Sequence, residues 1–186
     1  MNYFLLYYSL CLLIMVPIFL QGHSIFKNSL GHILNNYSIL FNIIFLGFFI
    51  AKSIEVIFYK KLLKFLLAFF SGAIAFFLFY KFNSTPNYFA FSINHLALII
   101  FSILYFISFV KMDKYYDFKK LPSFWIILGV FLGSVLSFPV YFYLDFFKNV
   151  QVNKNYIFGN VPTISYIIMY SFFIKGLKCS KKQVKV

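Results

Sequence analysis

The chain has 186 residues, 62% of them hydrophobic and only 11% charged, whereas a water-soluble domain carries about a quarter charged residues. That balance excludes a soluble globule and makes lipid the natural solvent. The formal charge of +13 comes from 17 basic residues, all of them lysine and scattered between apolar runs, so the bidentate fork that reads phosphate and guanine is missing and nucleic acid is excluded as a partner.

Tyr3–Leu20 is the first predicted span. It has no basic n-region and no small-x-small cleavage site, so it reads as a retained helix with Pro17 near its end, and not as a signal peptide. Cys11 lies inside this run as a small apolar residue; Cys179 lies far away in the basic tail, and no metal spacing joins them. Gln21–Asn36 is predicted as a loop, with Gly22, Gly31 and the Asn35-Asn36 pair as breakers.

The second span is predicted over Tyr37–Tyr59, with Lys52 and Glu55 in its last turns and Lys60-Lys61 as its end. Lys52 and Glu55, three residues apart, are expected to share one helix face and pair at the interface. The third span is Leu62–Tyr80, with Lys64 near enough to its start to snorkel. A turn over Lys81–Asn87 leads to the fourth, Tyr88–Val110, which is interrupted only by Asn94 and His95.

After a charged loop, Lys111–Lys120, comes Leu121–Leu144, 24 residues without a charged side chain. At ~1.5 Å per residue this crosses a hydrocarbon core of about 30 Å with some tilt. The sixth span is Tyr156–Ile174, and Lys175–Val186 is a basic tail. No polar stretch is long enough to fold separately, so residues 1–186 are expected to form one integral-membrane domain, an all-α polytopic bundle of six spans.

The lysines sort by connector. Those after spans two, four and six, with their flanks, hold Lys52, Lys60, Lys61 and Lys64; Lys111, Lys114, Lys119 and Lys120; and Lys175, Lys178, Lys181, Lys182 and Lys185. The other connectors hold Lys27, Lys81, Lys148 and Lys154. By the positive-inside rule both termini are predicted cytoplasmic, and Trp125 with the tyrosines near span ends fits an aromatic belt.

Two places attract attention for chemistry. In span five, Gly129, Gly133 and Ser137 recur every four residues on one face, a pattern that lets another helix approach closely. A seam within the chain is the leading expectation, with a homo-oligomer or protein-partner contact through the same face beside it. Pro139 frees the carbonyl of Val135, which predicts a kink there, with Ser134 or Ser137 supplying a replacement donor. In span four, His95 beside Asn94 is an ionisable residue at depth, a functional hypothesis by default, although an inter-helix hydrogen bond explains it as well. His23 and His32 fall on the same predicted side, but the three histidines have no ligand spacing.

The catalytic inventory is thin. No G-x-S-x-G, H-E-x-x-H or intramembrane aspartate pair occurs, so no catalytic, cofactor or metal residue is assigned. At Pro122-x-Phe124-Trp125-Ile126-x-x-Gly129, and again at Tyr170–Cys179 (YSFFIKGLKC), the chain resembles short uncharacterised multi-pass membrane proteins of bacteria. These are similar to the membrane-embedded input part of some sensor kinases, without the kinase. The resemblance rests on parts of the last two spans and implies a bacterial plasma-membrane location, with no activity or functional residue to carry over. The expected function is therefore a non-enzymatic sensing or interaction module. A small oligomeric transporter or channel is the alternative, and it requires Asn42, Asn94, His95 and Ser137 to converge. An intramembrane enzyme using His95 with Glu55 or Asp145 is the second alternative.

Overall fold

The computed structural model describes residues 29–80, 87–112, 117–146 and 156–183. The predicted first span, with Cys11 and His23, lies outside them, as do Lys27, Lys81, Lys148 and Lys154. The described residues form five long helices and no strand: α1 (Ser29–Ser53), α2 (Ile57–Tyr80), α3 (Tyr88–Val110), α4 (Pro122–Phe146) and α5 (Tyr156–Gln183). A single 3-10 turn, Phe118–Lys120, precedes α4. Helices α1 to α4 are each long and apolar enough to cross a membrane, and the chain is a helical membrane bundle.

Helices α1, α2 and α3 pack mutually as a three-helix group; α4 lies against α3, and α5 lies along α4 in the most extensive contact of the molecule. The core between α1, α2 and α3 is built from Ile39, Ile43, Leu46 and Ile50 of α1, Leu63 and Ile74 of α2, and Leu98, Phe101 and Tyr105 of α3, all buried. Helix α2 forms the edge, with only 11% of its span buried against 44% for α3.

The bundle has two chemically different ends. At one, Asn87 ties three helices together: its backbone N–H donates to Asn36 Oδ1 on α1 (3.1 Å), its amide donates to the Phe77 carbonyl on α2 (3.4 Å), and its own Oδ1 caps α3 at Ala90 N (3.2 Å). At the other end sit Lys52, Lys60, Lys61, Lys64, Lys111, Lys119, Lys120, Lys175 and Lys178. There the Trp125 indole donates to the Lys119 carbonyl (3.0 Å), and Lys175 Nζ lies 3.3 Å from the centre of the same ring. Lys111 Nζ lies over the Tyr59 ring, and Lys120 pairs with Asp117. Antiparallel neighbours account for this arrangement, because every second connector returns to the same end.

The α4–α5 contact is a seam of small residues. A methyl group on Gly129 would stand 2.7 Å from Phe172 Cβ and 2.9 Å from the Met169 carbonyl oxygen. On Gly133 it would stand 3.2 Å from Met169 Cβ and 3.3 Å from the Ser165 carbonyl. Gly176 of α5 answers from the other side, against Ile126 and the Pro122 carbonyl. Ser137 completes the row by hydrogen-bonding Ser165. Backbones approach closely where side chains are absent, and in lipid that packing holds helices together.

Several element ends differ from the sequence expectation, each for a physical reason. Helix α1 starts at Ser29, so the second half of the expected loop is helical. Gly31 and Asn36 weaken a helix by about 1 kcal/mol or less in isolation, and the buried bond from Asn87 to Asn36 outweighs that preference. The expected second span, Tyr37–Tyr59, is cut at Ser53: Ile54–Val56 form a tight connection with Ile54 buried, and α2 begins at Ile57 instead of Leu62. No glycine or proline marks this turn. Lys52 therefore ends α1 while the exposed Glu55 lies in the turn, so they are not an i, i+3 pair on one helix face. Lys60, Lys61 and Lys64 ride on the first two turns of α2. Helix α3 coincides with the expected fourth span, and α4 runs to Phe146 through an outward-facing Pro139. Finally, α5 continues to Gln183, so most of the expected tail is helix. Lysine is a good helix former, and Gly176 and Lys175 dock that extension on the start of α4.

Candidate functional site

Four helices meet around a small cavity roughly midway along the bundle. Asn42 and Leu46 line it from α1, His95 and Leu98 from α3, Gly133, Ser134 and Ser137 from α4, and Ser165, Tyr166 and Met169 from α5. Its volume is about 10 Å³. The glycine seam creates part of it: Gly133 brings α5 close, and the absence of a side chain leaves the gap beside Ser134.

His95 is 4% exposed and held on two sides. Its ring stacks on Tyr141 with centroids 5.3 Å apart and planes within 5°, while Tyr141 also stacks on Phe91 at 4.8 Å. Phe91 and His95 are one turn apart on α3, so the tyrosine covers both and sets the imidazole plane. Nδ1 lies 3.5 Å from Ser134 Oγ, and Nε2 has no protein partner among the described residues. The Asn42 Oδ1 atom is also buried without one. The Tyr141 and Tyr166 side chains lie near one another. Ser165 donates to the Pro162 carbonyl (2.7 Å), so the Ser137 hydroxyl is the donor in the Ser137–Ser165 bond.

Among the candidate site residues singled out from sequence, Asn42, His95, Gly133 and Ser137 share this cavity. Asn94 is 2% exposed, with Oδ1 lacking a protein partner, but does not line it. Gly129 lies one turn along the seam, facing α5. Lys52 and Glu55 are at the lysine end. Asp145 lies one turn beyond Tyr141 on α4, and the hydrogen-bonding and stacking neighbours of His95 are Ser134 and Tyr141, with no carboxylate. Among the described residues no group of three histidine, cysteine or acidic side chains is close enough to hold a metal ion.

The serines do not serve Pro139 as expected. Ser134 is directed to His95 and Ser137 to Ser165, both inward, whereas Val135 and Pro139 face outward. Sequence reasoning passed over Ser134, Tyr141, Ser165 and Tyr166 as site residues. The signal for two of them is the spacing Ser134, Ser137, Tyr141: i, i+3, i+7 places them on one face of α4, beside the glycines. Ser165 and Tyr166 carry no comparable mark, because α5 is dotted with polar residues throughout.

The arrangement suits hydrogen bonding in a buried, largely neutral setting: hydroxyls, one amide and one imidazole, with no acid or lysine among the described residues that line it. Comparisons with protein families, with curated proteins and with solved structures found no match.

Proposed function

We propose that this chain is a six-span integral membrane protein of a bacterial plasma membrane, with its lysine end and both termini in the cytoplasm, acting as a non-enzymatic sensing or interaction module. The observation that carries the reading is the outer face of α2. Phe65, Phe69, Phe76 and Phe79 are exposed there, and among them Ala68 and Gly72 stand four residues apart, with nothing within 4 Å of where a Gly72 methyl would be. Small residues at this spacing serve close helix–helix approach in lipid, and on α4 the same pattern is already covered by α5. A partner helix therefore has its opening on α2 and not on the span-five face. A photo-crosslinking residue at Phe69 is expected to give a discrete protein adduct in native membranes, and the same residue at the exposed Ile167 of α5 is not. Lipid adducts alone at both positions would remove the reading.

The convergence of Asn42, His95 and Ser137 favours a second reading, a small transporter, because solute sites in such proteins lie near the bilayer midplane between helices. Transport requires water-soluble reagents to reach that depth. A Ser137→Cys variant, with Cys11 and Cys179 replaced by serine, must then react with an impermeant maleimide from at least one face. Protection from both faces sinks this alternative.

A further inference from the structure

Buried polar atoms without a partner are uncommon in folded proteins, and each calls for a physical cause. Here two of them, Asn42 Oδ1 on α1 and His95 Nε2 on α3, belong to side chains that line the same cavity. Oδ1 is an acceptor only, so it needs a donor; Nε2 is a donor or an acceptor according to the tautomer that Ser134 selects at Nδ1. The two other serines of α4 and α5 there are already engaged, Ser137 with Ser165 and Ser165 with Pro162. A single molecule that donates to Oδ1, and either donates to or accepts from Nε2, satisfies both atoms. The cavity volume is about that of one water centre, at the threshold for holding one, and a buried water needs two to four polar partners.

We propose that this cavity is a binding site for one ordered water molecule bridging Asn42 on α1 to His95 on α3. The water links α1 to the face of α3 that Tyr141 and Ser134 hold from α4, a junction where direct contact between α1 and α4 is slight. In this conformation the volume leaves no room for a larger solute, and among the described residues no charged side chain lines the site, which disfavours an ion.

The test uses the full chain in lipid nanodiscs and solid-state NMR with magnetisation transferred from water to the protein. His95 resonances are identified by their disappearance in His95→Gln. A cross-peak from water to the His95 ring is expected, together with its absence at Phe101 two turns along α3, which is fully buried and serves as the dry control. Asn42→Leu is expected to abolish the His95 cross-peak while leaving the ring signal in place. If Asn42→Leu does not fold, the unsubstituted chain decides alone: a His95 ring as dry as Phe101, or one bonded directly to the Asn42 amide, overturns the proposal.

Discussion

Placing a methyl group on Gly129 is the most direct test of how the bundle is held. In Gly129→Ala the added Cβ would stand 2.7 Å from Phe172 Cβ and 2.9 Å from the Met169 carbonyl oxygen. Both are closer than van der Waals contact permits. Neither neighbour is the free end of a flexible side chain, so relief requires α5 to move away from α4 along its length. Overpacking of this kind costs about 1–3 kcal/mol, which lowers the folded-to-unfolded ratio roughly 5- to 150-fold. Gly72→Ala is the matched control: it adds the same methyl where nothing lies within 4 Å, and helix propensity alone favours it by up to about 1 kcal/mol. Gly133→Ala belongs between them, because its contacts of 3.2 and 3.3 Å need only a few tenths of an ångström of relief. Reversible unfolding in mixed micelles, followed by circular dichroism, gives the three values. The expected order of stability is Gly72→Ala, then Gly133→Ala, then Gly129→Ala. Equal stability of Gly72→Ala and Gly129→Ala would refute the close approach of α4 and α5.

Asn36→Ala leaves the buried Asn87 N–H without its acceptor and is expected to destabilise by about 1–3 kcal/mol in the same assay, more than Asn36→Asp, which keeps an acceptor. Trp125→Phe removes the indole donor to Lys119 and weakens the Lys175 contact, a loss of about 1–2 kcal/mol; Lys175→Ala in that background should add little, and full additivity would deny their coupling. For topology, reporter fusions at Asn83 and Lys182 are expected on opposite sides of the membrane, and a same-side result contradicts the proposed six-span orientation.

How much of this was legible in the sequence depends on what marked each feature. Helix α3 is bounded by Asn87 and Lys111, a cap residue and a charge, and its ends were readable to the residue. The connection at Ile54–Val56 was hidden, because its turn is made by burying Ile54 and contains no glycine or proline. The end of α5 was misplaced for a different reason: hydropathy reports where the apolar run stops, while a helix stops where its backbone loses support, and Gly176 with Lys175 supplies support past Ile174. The seam residues were visible as a spacing. Their facing partner was not, since Met169 and Phe172 look like any other apolar side chains. His95 stood out as an ionisable residue at depth; Asn36, lying beside a second asparagine, looked like a breaker and became a tertiary anchor.

Gathering the lysines of the described residues at one end also gives the bundle an electrical polarity. A transmembrane voltage acts on each charge that would have to cross with about 2.3 kcal/mol per 100 mV, and the helices between the two ends carry nearly none. The voltage consequently has almost nothing to pull on inside the bundle. It acts instead on the orientation of the whole molecule: with the lysine end in the cytoplasm, as proposed above, an interior-negative potential holds that end in place.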